Sequence, residues 1–123
     1  MLRKVLMAAI KQRDFTVLEA FRDEATQNHY FETGRSKLRF PDGKHNKNPS
    51  EAVDIAPWFP SKPHIRWNDI EAFKALGNFI IGVGAGMGIE LRWGGDWAMN
   101  LGTNWDYDDQ NFNDFPHIEL VLP

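Results

Sequence analysis

An aspartate lies in the middle of a short apolar run, Ala52-Val53-Asp54-Ile55-Ala56, and Pro57 follows directly. A run of this length and composition predicts a buried strand that ends at the proline. A charged carboxylate inside such a strand is stable only when it is paired or binds a metal ion. The pattern therefore favours Asp54 as a metal ligand.

Two histidines can complete a metal site with Asp54. His45 precedes the strand across a loop of turn-forming residues, and His117 lies near the end of the chain, three residues after Asp114. Imidazole nitrogens and carboxylate oxygens both bind zinc, and a catalytic zinc usually has three protein ligands and one open position. We therefore predict a zinc site of His45, Asp54 and His117, with Asp114 as the acid–base group.

Two residues next to His117 refine this prediction. Pro116 keeps the segment out of a regular helix, so Asp114 is expected on a loop and His117 at the start of a strand. Glu119 lies two residues after His117, and both side chains should share one face of that strand. Glu119 is expected either as a hydrogen-bonding partner of the ligand histidine or as an alternative base.

These motifs resemble those of the zinc peptidases that cut the peptide part of bacterial cell walls. That family includes D-alanyl-D-alanine carboxypeptidases and the L-alanyl-D-glutamate endopeptidases of phage endolysins. Its pattern is a histidine, a short loop, Ala-x-Asp on a strand and, much later, an acid three residues before Pro-His or Trp-His. Here the pattern is matched by His45, Ala52-Val53-Asp54 and Asp114-Phe115-Pro116-His117. The segments 15–22, 34–37 and 92–97 resemble the phage endopeptidase branch.

The resemblance implies an α+β fold of the Hedgehog/D-Ala-D-Ala peptidase type. In this fold a small antiparallel sheet carries the zinc site on one face, and helices pack on the other. The implied function is zinc-dependent cleavage of the peptidoglycan stem peptide at the L-alanyl–D-glutamate bond. Two alternatives stay open: a D-alanyl-D-alanine carboxypeptidase, and a zinc-stabilised wall-binding module without catalysis.

The same resemblance gives a role to Arg22. It places this arginine beside the metal, where a guanidinium would stabilise a substrate carboxylate or developing oxyanion charge. The alternative is a solvated surface arginine. His29 and His64 are expected to be surface and loop histidines with no metal role.

The composition fits a single domain over residues 1–123 and excludes several classes of protein. The net charge is −3, whereas nucleic-acid-binding domains are strongly basic. The chain has no cysteine, so no disulfide or cysteine ligand contributes. No apolar run reaches the ~20 residues of a membrane span, and the run after Lys4 is shorter than the roughly 7–15 residues of a signal-peptide core. We expect a monomer, made in the host cytoplasm without a signal peptide, that acts on the cell wall after release.

Apolar periodicity and turn residues predict the other elements. Helices are expected at 2–10, at 23–33 with Gly34 just past the end, and from Asn68, with Glu71 completing a capping box. The predicted strands are 15–18, 52–56, 89–93 and 118–122.

Four glycines near the end of the last helix invite comparison with a dinucleotide-binding loop: Gly82, Gly84, Gly86 and Gly88. They end a helix instead of opening one after a strand, which excludes that motif. Close approach of the helix to the sheet would explain them, and Gly88 is expected to end the helix.

Two polar segments leave alternatives open. The loop 35–48 is locally basic, and it is either solvated or binds carboxylates of the wall peptide. Its basic residues include Lys37, Arg39, Lys44 and Lys47. The segment 96–114 is an irregular surface loop, a cleft wall or a calcium site, although its spacing does not match an EF-hand. The cleft wall would use Trp97 and Trp105, and the calcium site Asp106, Asp108 and Asp109.

Overall fold

The computed structural model describes residues 1–96, 99 and 114–122. In chain order its elements are α1 (Leu2–Ala9), β1 (Phe15–Glu19), α2 (Glu24–Glu32), a 3-10 turn (Lys44–Asn46), β2 (Ala52–Pro57), α3 (Ile70–Gly86), β3 (Leu91–Gly94) and β4 (Asp114–Leu120). The strands form one antiparallel sheet in the order β1-β2-β4-β3. This confirms the predicted α+β class with a small antiparallel sheet.

The sheet has one apolar and one polar face, because successive residues of a strand point to opposite sides. The core residues of the two central strands are Val53, Ile55, Ile118 and Leu120. Helices α1 and α3 pack on this face and contact each other. The other face carries Asp54, His117 and Glu119. The expected arrangement therefore holds for α1 and α3, whereas α2 lies beside the polar face, where its Gln27 contacts Asn46.

Helix α3 approaches the sheet closely at two glycines. A Cβ at Gly77 would lie 2.7 Å from the ring of Trp93, and a Cβ at Gly84 would lie 2.8 Å from the carbonyl oxygen of Ile89. Gly82 and Gly86 have open space at that position, so close approach explains Gly84 but is the wrong explanation for these two. Among the described residues, no helix combines the length and the apolar composition that a membrane span requires, and this includes α3.

The helix ends match the predictions with one correction. The Asp69 carboxylate accepts a hydrogen bond from the N–H of Ala72 at 3.1 Å, so Asp69 caps α3 and the predicted cap at Asn68 is wrong by one residue. Gly34 has φ +79 just beyond α2, and Gly88 has φ +74 just beyond α3. Both have the left-handed conformation that glycine adopts without steric cost.

Strand β4 begins at Asp114, so the predictions of a loop at Asp114 and a strand from Ile118 are wrong. The ladder between β3 and β4 is interrupted after Asp114 and resumes at Ile118. Pro116 has no N–H to donate to a neighbouring strand, which accounts for the interruption. The ladder between β2 and β4 pairs His117 directly with Asp54.

The close approach of α3 to the sheet can be tested with two substitutions in the same helix. Gly77→Ala should lower the free energy of unfolding by about 1–3 kcal/mol, because the new methyl group overlaps the buried Trp93 ring. Gly82→Ala is the matched control and should raise it by up to ~1 kcal/mol, because alanine favours the helix and space is available. Urea denaturation measures both effects. Equal effects at the two positions would contradict the packing described for Gly77.

Candidate metal centre

Three ligand-type side chains meet on the polar face of the sheet. Asp54 of β2 and His117 of β4 are partners in the antiparallel ladder, so their side chains emerge side by side. His45, on the 3-10 turn before β2, completes the group. Asp54 Oδ1 lies 3.2 Å from His45 Nε2 and 3.4 Å from His117 Nδ1, and the two nitrogens are 3.3 Å apart. The structure thus brings together all three predicted ligands, although the histidines are 72 residues apart in sequence.

The hydrogen bonds behind the histidines determine which atoms face the centre of this group. His45 Nδ1 lies 2.8 Å from the carbonyl oxygen of Ala20, which can only accept, so Nδ1 carries the proton and Nε2 presents a lone pair. His117 Nε2 lies 2.8 Å from Glu119 Oε1, so in the neutral ring Nδ1 presents the lone pair. Asp54 Oδ1 is buried and makes no hydrogen bond.

This donor set fits a divalent cation. The three atoms lie within 4.8 Å of one another, and with both histidines neutral no proton lies between them. Two imidazole nitrogens and one carboxylate oxygen form a ligand set typical of catalytic zinc. Among the described residues, His45, Asp54 and His117 form the one such group of histidine and acidic side chains.

The pKa shifts of Asp54 and His117 both indicate that this group of side chains favours a positive charge at its centre. Burial alone would raise the pKa of Asp54, but the neighbouring His117 and His45 outweigh burial and hold this pKa well below its usual range. Burial alone would lower the pKa of His117, but Asp54, Glu119 and Asp114 raise it to about 9. A proton on His117 therefore supplies the charge in the metal-free protein, and a cation between the ligands would replace it.

Glu119 is a partner of the ligand histidine. Its Oε1 contacts His117 Nε2, and its Oε2 accepts from Arg92 at 2.7 Å and lies 3.4 Å from Lys44 Nζ. Burial would raise the pKa of Glu119, but His117 and Arg92 outweigh burial and lower it to about 2. Because both oxygens are engaged, this geometry favours the partner role over that of an alternative base.

Asp114 lies at the edge of the ligand group. Its Oδ2 is 3.9 Å from His117 Nδ1, and its side chain is 36% exposed, more than that of any of the three ligands. Burial, and then the negative charge of Asp54, raise the pKa of Asp114 above its ordinary value. A partly exposed carboxyl group beside a candidate metal site is placed for proton transfer.

Arg22 belongs to the site and is not a solvated surface arginine, since its side chain is only 10% exposed. Its Nε donates to Glu19 at 2.6 Å, and its Nη1 donates to Gln27 Oε1 at 3.0 Å. Its Nη2 lies 3.7 Å from Asp54 Oδ2. The backbone N–H of Arg22 donates to the His45 carbonyl at 2.8 Å, which ties the arginine to the turn that carries the ligand.

Two residues that hold Arg22 are missed by sequence reasoning. Gln27 is 1% exposed, and its Oε1 accepts from both Arg22 and Asn46 while its Nε2 donates to the Leu38 carbonyl. Asn46 also donates to the carbonyl of Arg22 at 3.0 Å. The polar composition of α2 predicts surface exposure, so Gln27 gives no signal in the sequence. The position of Asn46 next to His45 is the one available indication.

One cleft with two lobes opens over the ligand group. The first lobe, about 460 Å³, reaches Asp54, and its lining is mixed: Leu18, Trp67 and Pro116 lie among charged side chains. The basic lobe, about 480 Å³, reaches both histidines and carries Lys37, Lys44 and Arg92. Three residues line both lobes: Arg22, Arg35 and Asp114. Both volumes suit a peptide-sized ligand. A larger apolar groove, about 610 Å³, lies between α1 and β1 and has no acid or histidine in its lining.

The remaining candidates lie away from the ligands or outside the described residues. His64 stacks on Trp58 at 4.5 Å, and its Nδ1 lies 2.8 Å from the carbonyl oxygen of Phe59, which matches a loop histidine. Two residues of the basic loop 35–48, Lys37 and Lys44, line the basic lobe. Carboxylate binding by this loop stays a prediction. The candidates for the cleft wall and the calcium site lie outside the described residues: Trp97, Trp105, Asp106, Asp108 and Asp109.

Comparisons with known proteins give the family and the fold of this chain. The family model for phage L-alanyl-D-glutamate peptidases matches residues 1–121. The chain is 34% identical to the L-alanyl-D-glutamate peptidase of Escherichia phage T5 over 125 residues, covering 98% of this chain and 86% of that protein. The crystal structure of the Serratia marcescens L-Ala D-Glu endopeptidase ChiX superposes with a TM-score of 0.72 and 22% identity, covering 98% of this chain and 77% of that one. The structural comparison shows a shared fold, and the first two comparisons show that the chain belongs to the family of phage L-alanyl-D-glutamate peptidases.

Proposed function

We propose that this protein is a zinc-dependent peptidoglycan peptide hydrolase that cleaves the L-alanyl–D-glutamate bond. The observation that carries the proposal is the convergence of three lone-pair atoms, from His45, Asp54 and His117, beside a more exposed carboxyl group, Asp114. The family membership and the names of its relatives support the choice of bond. Action on the cell wall after release, one domain over residues 1–123 and a monomeric state remain predictions.

The metal ligands, Asp114 and Glu119 have separate roles in the proposed reaction. Zinc, when bound by three protein ligands, supplies a Lewis acid and lowers the pKa of a water molecule toward ~7. Asp114 lies beside the ligands, where it can take a proton from the attacking water and deliver it to the leaving nitrogen. Glu119 holds the ring of His117 so that Nδ1 faces the ligand group.

Arg22 is the group best placed to stabilise negative charge that develops on the carbonyl oxygen. Its guanidinium lines both lobes and is fixed by Glu19 and Gln27. A donor held in place before the reaction costs no reorganisation when charge develops. This is the physical basis for a catalytic role of Arg22.

The two alternative functions predict different chemistry. A D-alanyl-D-alanine carboxypeptidase would release a terminal alanine, whereas the proposed enzyme would separate the peptide at its first residue; the masses of the products distinguish them. A wall-binding module would retain metal without cleavage. The position of Asp114 favours an enzyme, because a purely structural zinc site is closed by four protein ligands and needs no nearby acid.

Metal binding is expected at about one zinc per chain, with His117 as a ligand. His117→Ala should lose most of this zinc, because two remaining ligands do not hold the ion. His64→Ala is the matched control: it removes a histidine that stacks on Trp58 and should keep the full metal content. Elemental analysis after dialysis measures both. Full zinc retention by His117→Ala would remove His117 from the site.

Asp114→Asn should separate catalysis from binding. The substitution preserves shape but removes the proton-accepting group, so peptidoglycan cleavage should fall by about 10²–10⁴-fold. Zinc content and co-sedimentation with cell walls should persist, because the three ligands remain. Asp42→Asn, which removes a carboxylate from the basic lobe, is the control and should stay active. Near-normal cleavage by Asp114→Asn would refute the acid–base role, and loss of zinc would make Asp114 a ligand.

Arg22→Ala should lower the turnover number by roughly 10²–10³-fold, the typical effect of removing one oxyanion-stabilising donor. Zinc content should be unchanged. The fold should persist because Gln27 Oε1 still accepts from Asn46. Arg13→Ala, an exposed arginine over the ring of Phe79, is the control. An unchanged turnover number in Arg22→Ala would argue for a structural role only.

A further inference from the structure

Arg35 lies where the two lobes of the cleft meet, as do Arg22 and Asp114. Three other cations of the cleft have acidic partners: Arg22 pairs with Glu19, and Arg92 and Lys44 pair with Glu119. In the described part of the chain, no carboxylate forms an ion pair with Arg35. Among the described residues, the guanidinium of Arg35 is therefore exposed at the junction without an ion-paired acid.

The backbone fixes the position of Arg35 through the end of α2. The N–H of Arg35 donates to the Tyr30 carbonyl at 2.8 Å, and the N–H of Gly34 donates to the Phe31 carbonyl at 3.2 Å. With Gly34 at φ +79, these bonds form a Schellman motif. These hydrogen bonds fix the direction in which the chain leaves α2, and with it the position of the Arg35 backbone.

The ring of Tyr30 holds the side chain. The guanidinium carbon of Arg35 lies 4.4 Å from the ring centroid, and that of Arg22 lies 4.7 Å from the same centroid. Cation–π contact orients a guanidinium while leaving its N–H donors free for a ligand. Tyr30 thereby places Arg35 next to the arginine that contacts the metal-ligand group.

We propose that Arg35 is a substrate-binding residue that pairs with a free carboxylate of the glutamyl residue at the scissile bond. The inference rests on the proposed function, because it takes the peptide chemistry from there. A fork of N–H donors matches a carboxylate with two parallel hydrogen bonds. Arg35 would then select for an acidic residue on the leaving side of the bond, and Tyr30 would act as a positioning residue.

The test uses two peptides that differ in one group. Both contain L-alanyl-D-glutamate, but in one the free glutamyl carboxylate beside the scissile bond is converted to a carboxamide. The wild-type enzyme should prefer the carboxylate peptide by about 10-fold to 100-fold in kcat/KM, as expected for a hydrogen-bonded charge pair. Arg35→Gln should lose that preference by raising KM for the carboxylate peptide, with little change for the carboxamide.

Arg39→Gln is the matched control. Arg39 is four residues away, and its guanidinium lies 4.3 Å from the ring centroid of Phe31; it is not among the residues that line either lobe. This variant should keep the wild-type preference. Tyr30→Leu should weaken the preference through KM, and Tyr30→Phe should restore it because the ring is retained.

A binding measurement separates this proposal from the proposed function. The affinity of both peptides for zinc-loaded Asp114→Asn, with and without Arg35→Gln, is measured by calorimetry, which requires no turnover. A preference for the carboxylate that depends on Arg35 supports the proposal. Equal losses on both peptides, or an unchanged preference, would overturn it. If the wild-type protein cleaves neither peptide, the proposed function fails, while the affinities still decide the role of Arg35.

Discussion

The buried carboxylate of Asp54 imposes the central constraint on this structure. It lies on a central strand, its Oδ1 makes no hydrogen bond, and two imidazole nitrogens lie within 3.4 Å of that atom. A charge in such a position is tolerable only with a cation or proton beside it. The direct pairing of Asp54 with His117 across the β2–β4 ladder supplies one partner from the far end of the chain. The turn that carries His45 supplies the other.

The surroundings of the site hold these groups in place from behind. Each histidine uses its second ring nitrogen for a bond to a fixed acceptor: the Ala20 carbonyl behind His45, and Glu119 behind His117. Those bonds determine which lone pairs face inward, and a pre-formed ligand set lowers the cost of binding a metal ion. Arg22 is held in a similar way, because its guanidinium donates a hydrogen bond to Gln27 and its carbonyl accepts one from Asn46. Asp54 and His117 thus lie on the two central strands and Asp114 at the start of β4, whereas Arg22 and Arg35 follow β1 and α2.

The cleft relates this chemistry to a peptide substrate. Both lobes carry charged side chains, the basic lobe has Lys37, Lys44 and Arg92 in addition, and both reach the candidate ligands. Basic side chains beside the candidate ligands suit a substrate that carries carboxylates. The larger apolar groove beside α1 has no chemical groups of this kind, so volume alone is a poor indicator of function here.

The three candidate ligands and most of the elements are predictable from the sequence alone. His45, Asp54, His117 and Asp114 follow from residue type and spacing, and the helices and strands follow from periodicity, because these signals are local. One error is a shift of a single residue, since Asp69 and not Asn68 caps α3. The other concerns the start of β4 at Asp114, which depends on pairing with β3 and therefore on tertiary structure. The packing of the elements decides which ring nitrogen faces the site, that Gln27 and Asn46 hold Arg22, and that Arg35 lies at the cleft. These contacts join side chains from different elements, and their geometry depends on how the elements pack, which no local pattern encodes.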